Sequence, residues 1–133
     1  MTILSVRTAL ESALNAVLPI VDTAWENTDY TPSVGVPYQK VHLMTSTSNP
    51  TIGGVFHRVS GIFQIDLMYP PYQGVRSAET QAEKIKTLFH RSESFEYGGV
   101  IVNITNTPSI RSMGIEDGRY RVMVEIKFLA DIF

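Results

Sequence analysis

The sequence predicts an α+β fold, in which two helices pack on one face of a mainly antiparallel sheet. Residues 55–69 and 119–130 alternate apolar and polar side chains with the period of a half-buried strand. Residues 2–18 and 77–90 repeat apolar side chains at helical spacing, so each needs a sheet to cover its apolar stripe. The order helix, strands, helix, strands lacks the regular alternation of a doubly wound parallel sheet. We therefore expect one domain spanning residues 1–133.

The composition is that of an ordinary soluble domain. The 133 residues are 44% hydrophobic and 18% charged, and a chain of this length buries about two-thirds of its unfolded surface. The formal net charge of −2 argues against a dedicated nucleic-acid binder, because neutralising phosphates needs clustered basic residues. The absence of cysteine excludes disulfides, and no apolar run approaches the roughly 20 residues of a membrane span. We expect a soluble, intracellular protein with no membrane partner.

The N-terminal third is predicted to form a helix followed by two strands. The helix covers residues 2–18, with Thr2 as its N-cap and Pro19 as its terminator. Strands are predicted at residues 21–25 and 38–44, and the segment between them carries turn residues. Both strands are available to the sheet that the helix needs.

A polar segment follows the second strand. It is rich in residues that bond their own backbone or tolerate unusual dihedral angles, so we expect a long, mobile hairpin loop. We predict that it contacts other protein chains through Thr45, Ser46, Thr47, Ser48, Asn49, Pro50, Thr51, Ile52, Gly53 and Gly54.

The central strand is predicted to end at Pro70 and Pro71, because neither proline can donate a hydrogen bond to a sheet. After a glycine-containing corner, Ser77 is the predicted N-cap of the second helix, which runs to about His90. One alternating set of strand residues should share a core with residues of both helices. These residues are Val59, Phe63, Ile65, Leu67, Val122, Val124, Ile126, Phe128, Leu10, Leu14, Ile85 and Phe89.

The C-terminal third is predicted to add further strands. Residues 95–97 and 100–105 indicate a hairpin around Gly98 and Gly99, whereas residues 110–115 are ambiguous. The last strand places a set of charged side chains opposite its apolar face, and we expect that polar sheet face to be exposed. The charged candidates for contacts with other protein chains are Arg119, Arg121, Glu125 and Lys127.

No catalytic or metal-binding pattern stands out. His42, His57 and His90 lack the spacing of a zinc site. Nucleophile elbows, phosphate-binding loops and dinucleotide fingerprints are absent from the sequence. Asp66, on the polar side of an apolar strand, could act as a general base, but a solvent-facing or cross-strand-paired carboxylate is the stronger interpretation. We therefore expect neither enzymatic activity nor a cofactor.

Two blocks of the sequence resemble a known protein family. The first is the strand Gly-x-x-Gln-Ile-x-Leu at residues 61–67, followed by the proline and glycine corner and a helix. The second is Trp-x-Asn-x-x-Tyr-x-Pro at residues 25–32, followed by Pro37-Tyr38 and a strand. We interpret the rings of this second block as structural rather than as ligand contacts. Together the blocks resemble tail-terminator proteins of long-tailed bacteriophages, over residues 24–89 and more weakly through the last strand.

The resemblance implies a structural virion protein. Such a subunit would close into a ring, a hexamer, at the head-proximal end of the tail tube, where it stops tail polymerisation and offers a head-docking surface. Its partners would be copies of itself, the tail tube protein and a head-completion or connector protein, with DNA only as cargo through the ring. Its location would be the virion, after assembly in the host bacterial cytoplasm. Another head–tail connector or neck protein, or a small ligand-binding α+β domain, is the alternative interpretation.

Overall fold

The computed structural model describes residues 3–17, 21–46, 49–50, 57–116 and 118–132. Within these residues the chain forms two helices and eight strands. In chain order they are α1 (Ile3–Asn15), β1 (Asp22–Ala24), β2 (Tyr38–Thr45), β3 (Asn49–Pro50), β4 (His57–Tyr69), α2 (Arg76–Leu88), β5 (Ser94–Tyr97), β6 (Val100–Ile104), β7 (Ser109–Glu116) and β8 (Arg119–Ile132). The predicted α+β class is confirmed.

The described strands form one mixed sheet with the order β1-β2-β4-β8-β6-β5. β1 pairs in parallel with β2, and the other described pairings are antiparallel. β3 adds to β4, while β7 pairs with the first part of β8 and β6 with its last part. β4 and β8 are paired along nearly their whole lengths, so they form the centre of the sheet.

The core lies on the apolar side of β4 and β8, as predicted. Phe63 of β4 and Ile126 of β8 are fully buried, and these two residues are directly paired across the strands. The ring of Phe63 packs 6.1 Å from that of Phe89, which packs 5.2 Å from Phe95 in a tilted arrangement favourable for aromatic pairs. All the predicted core residues belong to one cluster of buried side chains, which also includes Val6, Val41, Val100 and Val102.

The two helices contact different parts of the sheet. α1 contacts β5 and β6, whereas α2 contacts β4, β7 and β8. The predicted N-cap of α2 is wrong, because the helix begins at Arg76 and its N-cap is Val75, which makes no side-chain hydrogen bond. Ser77 lies inside the first turn, since the chain reverses earlier at Gly74, where φ is +78°. The predicted start and end of α1, at Thr2 and Pro19, fall outside the described residues.

Glu26, just after β1, ties α1 to β2. Its carboxylate accepts a hydrogen bond of 2.8 Å from Arg7 of α1 and one of 2.6 Å from the backbone N–H of Leu43. His42 Nδ1 lies 2.9 Å from the other carboxylate oxygen, and Arg7 also pairs with Glu11. Because the carboxylate meets both elements, it fixes the distance between the helix and the strand.

Two segments differ from the sequence predictions. The ambiguous segment 110–115 lies within β7, which carries a bulge between Ser112 and Gly114. The polar loop predicted at 45–54 is in part sheet, because Thr45 belongs to β2 and Asn49–Pro50 forms β3. Its remaining residues, apart from Ser46, lie outside the described residues; these are Thr47, Ser48, Thr51, Ile52, Gly53 and Gly54.

Candidate assembly surface

The charged contact candidates on β8 fall into two groups. Arg119 and Arg121 lie at the start of the strand, and Lys127 lies eight positions after Arg119. At about 3.4 Å per residue, Arg119 and Lys127 are about 27 Å apart. The predicted set therefore does not form one site, and each end of the strand needs a separate description.

At the start of β8, a tight turn carries a fully exposed valine. The N–H of Val36 donates to the carbonyl of Ser33, and Gly35 between them has φ of +76°. A glycine with positive φ at this position is typical of a type II turn. Val34 occupies the corner of the turn and is 99% exposed.

Arg119 holds this turn against the sheet. Its guanidinium donates to the carbonyls of Ser33, at 2.6 Å, and of Val36. The same group lies 4.9 Å above the centre of the Tyr38 ring, which packs 5.3 Å from the ring of Tyr30. The planar guanidinium stacks on the ring and donates hydrogen bonds to two carbonyls at once. A lysine ammonium group does not reproduce both contacts. Arg119 is thus engaged within its own chain.

Next to the turn lies the corner that joins β4 to α2. Tyr72 has φ of +62° and is 90% exposed, and Val75 is 44% exposed. Gly35 of the turn and Gly74 of the corner line the same small cleft of about 160 Å³, so the two loops are neighbours. We call the exposed side chains of Val34, Tyr72 and Val75 the apolar tip.

Arg121 binds two carboxylates of its own chain. It lies 3.1 Å from Asp66 of β4 and 2.8 Å from Glu116 of β7. The hydrogen bond with Glu116 is the largest cause of a raised pKa of Arg121, against the opposing effect of partial burial. Asp66 also accepts a hydrogen bond of 3.2 Å from Gln64. The interpretation of Asp66 as a cross-strand-paired carboxylate is confirmed, and its partner is Arg121.

The polar face of the sheet is less open than predicted. Met68 and Met123 are only 1% and 8% exposed, although both lie on the same face of the sheet as the charged side chains. Tyr38, the cross-strand neighbour of Met68, is 8% exposed beneath Arg119 and Tyr30. Long side chains and the folded-back turn therefore cover part of this face.

The other end of β8 borders a groove of about 460 Å³. Three predicted contact residues, Thr45, Ser46 and Lys127, line it together. Met44, at 38% exposure, adds apolar surface at its edge. We call this depression the strand-end groove; its full lining is Met44, Thr45, Ser46, Ser60, Gly61, Ile62, Thr105, Lys127, Phe128 and Leu129.

Gly61 shapes the floor of the strand-end groove. A Cβ atom at this position would clash with the carbonyl oxygen of Met44 and lie 2.8 Å from the ring of Phe128. A glycine is therefore required for β2 and Phe128 to approach β4 this closely. Across the strand pair, Ser46 donates its N–H to the carbonyl of Ser60 at 2.8 Å.

Lys127 is exposed, and Glu125 is half-buried. Among the described residues, neither takes part in an ion pair. The described residues also contain no cluster of side chains suited to a metal ion. No described helix is long and apolar enough to cross a membrane.

Sequence reasoning missed the apolar tip. Val34 and Tyr72 were not candidates, because an isolated apolar residue gives no periodic signal. The neighbouring residues did give a turn signal. Gly35 follows Val34, and Tyr72 lies between Pro71 and Gly74, so both apolar residues are placed in turns. A search for large apolar residues inside turn sequences could have found both.

Comparison with known proteins gives a family match, similar solved structures and one negative result. One solved structure shares 25% sequence identity with this chain, with a TM-score of 0.74, and the alignment covers 100% of this chain and 96% of the other. No curated protein matches. A family model described as "Phage tail terminator protein" matches residues 5–128, which include α2, β4 and most of α1 and β8. The chain belongs to this family of phage tail terminator proteins.

Proposed function

We propose that this protein forms a ring, a hexamer, that caps the head-proximal end of a phage tail tube. The ring ends tail polymerisation and then offers a surface to a head-completion or connector protein. The observation that carries this proposal is the match of the tail terminator family to residues 5–128. The subunit is made in the host cytoplasm and ends in the virion as a structural component without catalytic activity.

The architecture of the subunit supports an assembly role. The apolar tip and the strand-end groove leave apolar side chains in solvent, which is typical of surfaces that meet a partner. Both helices contribute to one cluster with β4 and β8, which supports the finer prediction of two helices on one face of a mainly antiparallel sheet. A formal net charge of −2 allows duplex DNA to pass through a ring without tight binding.

Tail length tests the proposal directly. In a phage that lacks this protein, we expect tails of irregular and excessive length in electron micrographs, because nothing stops the tube from growing. Supplying the wild-type protein in trans should restore one uniform length. Tails of normal length that fail to join heads would contradict a terminator and favour a connector or neck protein.

Ring formation is the second test. The purified protein at high concentration, or the protein on isolated tail ends, should show closed rings with an opening wide enough for duplex DNA. A dilute monomer is compatible with the proposal, because such subunits can await a template. A stable monomer that is absent from tail ends and binds a small molecule saturably would contradict it and favour a ligand-binding domain.

A further inference from the structure

We infer that the apolar tip of one subunit binds the strand-end groove of the next copy of this chain. Each subunit therefore uses two different surfaces for its two neighbours in the ring. The inference rests on the proposed ring, and it adds which surfaces meet and why the contact is directional. Its failure leaves the tail-length result untouched, so the two proposals can be separated by experiment.

The two surfaces lie on opposite halves of the central strands. Ile62 of β4 lines the strand-end groove, and Tyr69, at the other end of β4, leads into the corner that carries Tyr72. Seven residues at about 3.3 Å each separate the two positions by about 23 Å. A contact between two different patches of one chain is heterologous, and such contacts produce closed rings when the rotation between subunits closes.

One surface projects and the other is recessed. The apolar tip projects, since Val34 and Tyr72 are 99% and 90% exposed at the corners of their turns. The strand-end groove is concave, with a volume of about 460 Å³ and a lining that includes Ile62, Phe128 and Leu129. A depression of this size falls in the range of pockets that take drug-sized ligands, so it can hold two side chains.

The backbone of Tyr72 points to a partner outside the subunit. A bulky residue with φ of +62° is strained, and such conformations cost about 1–3 kcal/mol. Packing of the ring inside the subunit does not compensate for this strain, because Tyr72 is 90% exposed. Burial of the Tyr72 ring against a neighbouring chain would offset this strain.

The turn that carries Val34 is prepared for binding. Arg119 fixes it through the carbonyls of Ser33 and Val36, so little conformational freedom remains to be lost on association. Arg119 is therefore a positioning residue in this contact.

Charge also fits the pairing of these two ends. Exposed Lys127 lines the strand-end groove, and exposed Asp29 lies in the loop that leads to the tip. Among the described residues, neither side chain has an ion-pair partner within the subunit. Opposite charges at the two surfaces favour the correct orientation of neighbouring subunits.

The first experiment replaces Tyr72→Asn, because asparagine tolerates the left-handed backbone. We expect an unchanged or higher melting temperature, together with a fall of about tenfold in the fraction of subunits in rings on tail ends. Leu4→Ser is the matched control, since Leu4 is 69% exposed on α1 and lines neither the groove nor the cleft beside the tip. Normal rings with Tyr72→Asn would overturn the inference, and normal rings that no longer bind tails would identify a tail protein as the partner of the tip.

The second experiment uses the absence of cysteine in the chain. A variant with both Val34→Cys and Met44→Cys, treated on tail ends with a bismaleimide, should give a ladder of crosslinked oligomers. Each single-cysteine variant should give no ladder, because a head-to-tail contact brings a tip against a groove. Dimers from either single-cysteine variant would indicate a symmetric contact and overturn the inference, as would the absence of crosslinks where rings are visible.

The third experiment exchanges charges. Lys127→Glu or Asp29→Lys alone should weaken ring formation in a salt-dependent way, and the double variant should regain most of it. If the double variant is as poor as the worse single variant, these residues do not face each other and the proposed orientation is wrong. If wild-type protein forms no ring on tail ends under any condition, the proposed function fails as well.

Discussion

The middle of the central strands and their two ends are built in different ways. In the middle, Phe63 and Phe128 are at most 2% exposed and pack within one apolar cluster. At one end, Val34 and Tyr72 face solvent, and hydrogen bonds from Arg119 hold the turn that carries Val34. At the other end, the strand-end groove leaves Met44 and Lys127 in contact with solvent. The difference indicates that stability depends on the middle and that the ends are available for contacts, so folding and assembly should respond to different substitutions.

The largest expected effect is in the middle of the strands. Phe63→Ala or Phe128→Ala should lower the free energy of unfolding by about 3–5 kcal/mol, through lost burial and a residual cavity. Chemical denaturation measures this change. Val34→Ala is the control, and as an exposed substitution it should stay within about 0.5 kcal/mol of the wild type. Equal midpoints for all three variants would remove the distinction between middle and ends.

Gly61→Ala tests the boundary between the two regions. The added methyl group meets the Met44 carbonyl and the Phe128 ring, so β2 must shift, at a cost of about 1–3 kcal/mol. Thermal unfolding measures the loss. Unchanged stability would show that β2 is free to move at this end, and that the strand-end groove is not fixed by packing.

Arg119→Met should loosen one end and leave the middle intact. The hydrogen bonds to the backbone carbonyls of Ser33, Val36 and Met68 are lost, which lowers the free energy of unfolding by about 1–3 kcal/mol. Hydrogen exchange of the Val36 amide should become faster, whereas exchange in β4 and β8 should change only with global stability. Arg119→Lys keeps the charge but loses the fork, and should also speed the exchange. Slow exchange at Val36 in both variants would mean that the turn holds itself.

The smallest expected effect is the pH dependence due to Glu26. Partial burial alone would raise the pKa of Glu26, but hydrogen bonds from Arg7 and Leu43 and nearby positive charge lower it overall. A lowered pKa stabilises the fold above the unfolded value of about 4.5, and this stabilisation is lost as pH falls through the folded value. Glu26→Gln should therefore be less stable near neutral pH and show a shallower loss in acid.

A matched variant separates this effect from that of its neighbour. Burial is the main cause of the raised pKa of Glu11, so this group destabilises the fold above its pKa and acts with the opposite sign. Glu11→Gln should make the loss of stability in acid steeper. Parallel acid curves for the wild type and Glu26→Gln would contradict the role given to Glu26.

The middle of the strands was predicted well from the sequence. Burial of one face makes apolar and polar residues alternate along the strand, and this pattern is visible without knowledge of the tertiary contacts. The alternation around Phe63 and Phe128 identified the core, and helical spacing identified Leu10 and Ile85. The family resemblance was likewise carried by segments that include β4 and α2, and the family is confirmed.

The ends were predicted poorly, because they depend on backbone conformations and long-range contacts. Ser77 has the chemistry of an N-cap, but the reversal at Gly74 starts the helix before it. The clamp from Arg119 to Ser33 joins residues 86 positions apart, which no local pattern reveals. The candidates on β8 and in the polar loop stay predictions, since contacts between chains are not tested by a single subunit.

The bulge in β7 affects whether copies of this chain can aggregate through the edge of the sheet. β7 lies at an edge of the sheet, where unpaired N–H and C=O groups invite a strand from another molecule. The irregularity between Ser112 and Gly114, with φ of +75° at Gly114, interrupts the regular row of these groups. A strand from another copy therefore finds no continuous ladder to extend. Amyloid-like stacking along this edge is disfavoured even when many copies accumulate together.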